Sequence, residues 1–163
     1  MLAMSFDSRS LRDALGLFVT GVTIITARTN DGTQTGVTAN SFNSVSMSPP
    51  LIVWSLGRAS RSIDAFLNAE NFCVHILRED QEGLAQTFAT SGIDKFKDLD
   101  LETGIGRVPM LKECAARLEC RTFSHHDGGD HIVFLGEVLQ IKSDAESRPL
   151  LFHGGKYASL ADH

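Results

Sequence analysis

Hydrophobic positions along the chain follow two rhythms, and each predicts its own kind of element. Leu11, Ala14, Leu15 and Phe18 stand at the i, i+3, i+4, i+7 spacing of one helical face. That spacing predicts a helix over Ser5–Phe18, with Asp7 as N-cap, Phe6 as hydrophobic staple and Gly21 as its end. Val22–Ala27 is β-branched and predicts a strand. The turn signal Asn30-Asp31-Gly32 then leads into a partner strand over Gln34–Asn43. After Pro49-Pro50, Leu51–Leu56 reads as a buried strand. Ser62 is expected to cap a short helix with Ile63, Phe66 and Leu67 inward, before a strand over Phe72–Leu77. Asp80 is expected to cap a second helix carrying Leu84, Ala85 and Phe88. Thr90–Val108 is rich in glycine and aspartate with weak periodicity, which predicts a long functional loop. Cys114–Phe123 and His131–Lys142 flank the hairpin turn Asp127-Gly128-Gly129-Asp130, and Leu150–Tyr157 closes around Gly154-Gly155. Short antiparallel strands interrupted by brief helices, without βαβ alternation, predict a mainly β fold: a closed antiparallel barrel with peripheral helices.

Composition narrows this picture. With 163 residues, 42% of them hydrophobic, the chain suffices for one compact domain over 1–163 and is too short for two ordinary ones. A net charge of -5 lacks the basic footprint of a nucleic-acid binder. Cys73, Cys114 and Cys120 are odd in number and form no C-x-x-C, so they read as buried free thiols, which a reducing cytoplasm suits. The opening Met-Leu-Ala-Met-Ser does not read as a signal peptide. No apolar run approaches the ~20 residues that span a bilayer, so no membrane partner is expected.

Candidate chemistry concentrates in four places. Gly36–Pro50 is crowded with small hydroxyl and amide groups (Thr38, Asn40, Ser41, Asn43, Ser44, Ser46, Ser48) between apolar strands, and is expected near the core. Polar groups there need partners, which a phosphate and a heteroaromatic edge would supply. Ser55–Ser62 carries three serines and the arginines Arg58 and Arg61 at a helix entry, which suits an anion. His125, His126 and His131 flank a turn with Asp127 and Asp130. Adjacent histidines point to opposite strand faces and no distant pair completes a tetrahedral set, so the segment reads as a polar hairpin tip or as the edge of a ligand cleft rather than a metal site. Asp94-Lys95-Phe96 sits in the long loop, where a lysine beside an aromatic suits a planar phosphorylated ligand. Gly104-Ile-Gly106 lacks the third glycine and the strand-to-helix context of a dinucleotide fingerprint. Gly154-Gly155-Lys156-Tyr157 lacks the Ser or Thr of a P-loop.

Several motifs in one order resemble the short-chain flavin reductase family, the reductase partners of two-component flavin monooxygenases. They are Thr20-Gly21-Val22 with Thr26, then Gly36-Val-Thr-Ala-Asn-Ser-Phe-Asn-Ser-Val-Ser46 with Pro49-Pro50-Leu51. Ser60-Arg61-Ser62, Asp94-Lys95-Phe96, Gly129-Asp130-His131 with Gly136-Glu137-Val138, and Gly154-Gly155-Lys156-Tyr157 follow. The resemblance implies an FMN-binding split β-barrel, usually a homodimer. It also implies NADH- or NADPH-driven reduction of FMN or FAD, with the reduced flavin passed to a separate monooxygenase. By the same resemblance, Thr38, Ala39, Asn40 and Ser41 line the flavin ring and side chain. Ser55, Leu56, Ser60, Arg61 and Ser62 take the phosphate end, with Lys95 and Phe96 nearby. His131 and Tyr157 edge the nicotinamide face, His131 being the catalytic candidate. Asn40 stands where the family often has serine. Two other readings of the same barrel are a flavin-binding electron carrier without enzymatic activity and a flavin-dependent oxidase acting on a small substrate.

Overall fold

The strand framework is set by Thr23–Arg28, whose apolar and threonine side chains are buried on both faces. The computed structural model describes residues 4–162. In chain order its elements are α1 (Ser8–Gly16), β1 (Thr20–Gly21), β2 (Thr23–Arg28), β3 (Gln34–Ala39), β4 (Asn43–Met47), β5 (Pro50–Gly57) and α2 (Ile63–Asn68). There follow β6 (Asn71–Ile76), α3 (Glu82–Ala89), β7 (Leu101–Thr103), β8 (Pro109–Leu111), β9 (Ala116–Gly128), β10 (His131–Ser143), β11 (Leu151–His153) and β12 (Lys156–Ala158). Seven strands form one antiparallel sheet in the order β3-β2-β6-β9-β10-β5-β4. Small sheets β1-β11-β12 and β7-β8 flank it. The edge strands β3 and β4 do not pair with each other, so the barrel is split. Ser41 bridges the seam: its Oγ accepts from Ser55 N at 2.9 Å and donates to Ser55 O at 3.1 Å.

Alternation along the strands sorts side chains into two cores. Ile25, Trp54, Phe66, Phe72 and Phe134 fill the first. Trp54 stacks on Phe134 (4.7 Å, 14°) and meets Phe66 edge-on at 4.9 Å. Val22, Ile24, Leu77, Phe88 and Leu150 fill the second, beneath α3.

Several boundaries differ from the sequence expectation. The helix predicted over Ser5–Phe18 spans Ser8–Gly16, ended by Leu17 rather than Gly21, which joins β1. Asp7 does cap it, accepting from Ser10 N at 2.7 Å. The strand expected over Gln34–Asn43 breaks after Ala39, because the chain must cross from the β2 side of the seam to β5. From Asn40 to Pro50 the polar stretch is mostly exposed, on an edge strand rather than near the core. Asp80 is no cap: Arg78 N donates to the Gln81 side chain at 2.8 Å, and a turn over Glu79–Gln81 precedes α3. Part of the expected long loop is ordered as the β7–β8 hairpin. No helix among the described residues is long and apolar enough to cross a membrane.

Cys73 and Cys120 are buried and Cys114 is partly buried; all three are unpaired. Burial raises each thiol, Cys120 to about 12.

His75 fastens the β7–β8 hairpin to the sheet. Its ring is fully buried; Nδ1 lies 3.0 Å from Ile24 O, and Nε2 accepts from Leu111 N at 3.1 Å. That pairing makes Nδ1 the protonated nitrogen of a neutral imidazole. Arg117 lies beside it, donating to Leu111 O at 3.1 Å and pairing with Glu102 at 2.8 Å. Burial first, then the charge of Arg117, lowers the His75 pKa to about 4, against a partial rise from the Ile24 carbonyl. The unfolded imidazole takes up a proton near its ordinary value of about 6.5, whereas the folded one resists until about 4. This contribution is therefore intact above about 6.5 and is lost as pH falls towards 4, on the order of 3 kcal/mol in all. Urea midpoints are expected to drop between pH 7 and pH 5 in the native protein and to change much less in His75→Gln; equal slopes would contradict this account.

Candidate functional site

Two clefts lie in succession along β3. At the first, β5 ends at Gly57 and the chain turns through Ser60 N donating to Gly57 O (3.0 Å) and Ile63 N donating to Ser60 O (3.2 Å) into α2. Ser60 Oγ accepts from Ser62 N at 3.2 Å. Ser62 makes no side-chain capping bond, contrary to the sequence expectation. Its backbone is helical (φ -90°, ψ -3°) rather than extended, which leaves the hydroxyl poorly aimed at the first-turn N–H groups. Ser60, Arg61 and Ser62 form one wall of a cleft of about 290 Å³. Ser91–Phe96 form the other, and Gln34–Gly36 the floor.

Lys95 spans this cleft from within. Its Nζ donates to Gly36 O at 2.9 Å and to Phe88 O at 2.8 Å, and desolvation lowers its pKa. Two of its three N–H donors are thus committed to the protein. Phe96 packs edge-on against Phe88 (5.2 Å, 89°). Gly36 is required beneath them, since a Cβ there would lie 2.5 Å from the Phe88 ring. Arg61 reaches across Gly92, where a Cβ would approach its guanidinium to 3.4 Å.

The second cleft, about 130 Å³, is lined by Val22, Thr38, Ala39, Asn40, Phe152 and Tyr157. Thr38 Oγ1 donates to Ala85 O at 2.6 Å, tying α3 to β3 while leaving its lone pairs free to accept. Tyr157 meets Phe152 edge-on (5.5 Å, 68°), and burial, then the charge of Glu82, raises its phenol. From Gln34 to Asn40 the shared strand covers roughly 20 Å. Asn40 also borders a third cavity of about 500 Å³ beside the end of α1 and the Gly154-Gly155 turn.

The remaining candidates stand elsewhere. Ser41 and Ser55 are bonded to each other at the seam, and Leu56 packs against the first core. His131 borders neither cleft. It opens β10 opposite Gly57, exposed, with Nδ1 2.7 Å from Asp130 Oδ1. Arg58 serves the hairpin rather than the cleft. Its guanidinium pairs with Asp127, Nε donates to Gly129 O at 2.9 Å, and its backbone N donates to Asp130 O at 2.9 Å. Among the described residues no group of three or more His, Cys, Asp or Glu is placed to hold a metal ion. Sequence reasoning missed Phe152, which faces Tyr157 in the β11–β12 register. Counting back across the Gly154-Gly155 turn would have found it.

The donor set suits a phosphorylated aromatic ligand. Serine hydroxyls and one guanidinium stand at one end, and small neutral groups with two aromatic rings at the other. Residues 15–161 match the family described as flavin reductase like domain. The chain is 44% identical over 155 residues to "FMN reductase (NADH) SmoA" of Agrobacterium fabrum, covering 95% of this chain and 87% of that protein. It is 39% identical over 159 residues to "Flavin-dependent monooxygenase, reductase subunit HsaB" of Rhodococcus jostii, covering 97% and 80%. The structure of Streptomyces globisporus C-1027 "NADH:FAD oxidoreductase SgcE6 in complex with NAD and FAD fragments" is similar with TM-score 0.90 and 34% identity, covering 99% and 97%. The chain spans 46% of the length of another relative, "Probable flavin reductase" of Rhizobium meliloti, at 40% identity over 143 residues.

Proposed function

The chain belongs to the flavin reductase like family, and from that premise we propose that it is an NAD(P)H:flavin oxidoreductase, one domain over 1–163, that reduces FMN or FAD for a separate flavin-dependent monooxygenase. The observation that carries this reading is the pair of clefts on β3, a phosphate-type donor set followed by a small aromatic-edged pocket.

In this reading Ser60, Arg61 and Ser62 hold the flavin phosphate, and Arg61 supplies the charge-assisted bond. The third N–H of Lys95 is available there, and Phe96 covers the ligand. Thr38, Ala39 and Asn40 line the ring and side chain, Ser41 and Ser55 hold the seam beside them, Leu56 sets the strand beneath, and Tyr157 closes the far edge. Bound flavin supplies the hydride-accepting chemistry, and the protein supplies orientation and exclusion of water. His131, with Nδ1 engaged by Asp130, presents Nε2 to the nicotinamide carboxamide and aligns it, without moving a proton. Neutral donors favour moderate affinity, which suits a protein that hands its flavin on.

The assembly proposed is a cytoplasmic homodimer. Leu11, Leu15 and Phe18 on α1 are 45%, 65% and 72% exposed, an apolar face that symmetric pairing would bury. Light scattering is expected to give twice the 17.7 kDa chain mass; a monomer at working concentration would refute the dimer.

Purified protein is expected to oxidise NADH or NADPH only when FMN or FAD is added. Consumption no faster than a protein-free control would overturn the enzymatic reading. Arg61→Ala is expected to weaken FMN by about 1.5–3 kcal/mol, the worth of a charged hydrogen bond, and riboflavin far less. Equal weakening of both ligands, measured by fluorescence titration, would show that Arg61 does not touch the phosphate.

A further inference from the structure

The β9–β10 turn and the Ser60–Ser62 loop are joined by one side chain that neither cleft uses. Arg58 follows Gly57, the last residue of β5, and Gly57 sits opposite His131 in the sheet register. From there Arg58 makes three bonds to a single turn: its backbone N to Asp130 O, Nε to Gly129 O, and the guanidinium pair with Asp127. Asp130 in turn holds His131 Nδ1 at 2.7 Å. On the other side, Ser60 N is bonded to Gly57 O and Ser60 Oγ to Ser62 N. Gly57, Arg58, Ser60, Ser62 and the 127–131 turn therefore form one hydrogen-bonded unit.

We propose that Arg58 is a positioning residue for flavin reduction: it clamps the Asp127–Asp130 turn and so fixes His131 relative to the Ser60–Arg61–Ser62 loop. The proposal rests on the reading above, in which that loop holds the flavin phosphate and His131 aligns the nicotinamide. An exposed ion pair adds little to global stability. Arg58 is 46% exposed and Asp127 86%, so the clamp's effect falls on local geometry. A planar guanidinium with two bonds at fixed angles, reinforced by a backbone bond, orients a turn in a way that an ammonium does not. The turn proper is Gly129-Asp130, with Gly129 at φ +73°, while Asp127 and Gly128 pair with Ile132 and His131, so the backbone of His131 is set by the sheet and its ring by Asp130. Releasing Asp130 would let the His131 ring turn on its paired backbone, and displacement by about an ångström costs roughly 100-fold in rate when alignment governs the step.

The test is stopped-flow flavin reduction across an NADH series, with FMN and riboflavin affinities titrated separately. The variants are Arg58→Ala, Arg58→Lys, Asp127→Ala, His131→Ala and the Arg58→Ala/His131→Ala double. Arg58→Ala is expected to slow reduction about tenfold, to change FMN and riboflavin affinity by less than about twofold, and to leave the melting temperature unchanged. Arg58→Lys and Asp127→Ala should fall between it and wild type. If Arg58→Ala fails to fold, Asp127→Ala, which removes one arm and spares the backbone bond, carries the test. The double variant should be no slower than His131→Ala, because residues acting through one another are not additive. A wild-type reduction rate in Arg58→Ala beside a slow His131→Ala would overturn this proposal alone. A wild-type rate in His131→Ala would remove the histidine's role and the proposal with it. Selective loss of FMN over riboflavin affinity in Arg58→Ala would make Arg58 a phosphate ligand instead, and full additivity in the double variant would show that it acts independently of His131.

Discussion

The protein is organised by the burial of β2 on both faces. Ile24 points into the core beneath α3 and Ile25 into the core around Trp54, and both are fully enclosed. Each such side chain contributes about 1.5–3 kcal/mol on leaving water. The threonines that flank them are tolerated because their hydroxyls reach backbone carbonyls: Thr23 to Ala39 O and Thr26 to Pro109 O, both at 2.6 Å. A strand held from two sides cannot slip by one residue without exchanging its cores. It therefore fixes the position of β3, its neighbour and the floor of both clefts.

On that floor the site divides into rigid and adjustable parts. Thr38 fastens β3 to α3, and Gly36 admits the Phe88 ring against the backbone, so strand and helix are packed together directly. The opposite wall is a loop kept in place by Lys95 and Phe96. A fixed strand facing an anchored loop is a geometry suited to orienting a planar ligand.

Much of this architecture was legible in the sequence, for reasons that also explain the gaps. Strand runs such as Leu51–Leu56 and Phe72–Leu77 were found because branched and aromatic residues are concentrated in them, although β5 alternates buried and half-buried positions where β6 is buried almost throughout. Asp7 was legible because an N-cap is a local matter. Ser62 and Asp80 carry the same chemistry but sit where the backbone angles or a competing Arg78–Gln81 bond defeat it, and a sequence does not show dihedral angles. The strand break at Asn40 depends on Ser41 meeting Ser55 across the seam, a contact made only once the sheet has curled. Motif order brought Ser60–Ser62, Lys95 and Phe96 to one cleft and Thr38–Asn40 with Tyr157 to another. It did not show that Lys95 is largely engaged by carbonyls, that Arg58 belongs to a hairpin, or that His131 stands apart from both clefts.

The thiols bear on where such a protein works. Reduced flavin released in air reacts with dioxygen and yields hydrogen peroxide, so a flavin reductase generates its own oxidant. Peroxide attacks the thiolate and not the thiol. Cys73 and Cys120 lie inside the sheet, where burial keeps them protonated far above any cellular pH, and the more accessible Cys114 is shifted in the same direction. None of the three presents the low-pKa anion from which sulfenic acid forms. Burial within the sheet thereby keeps these thiols in the protonated form that peroxide attacks least.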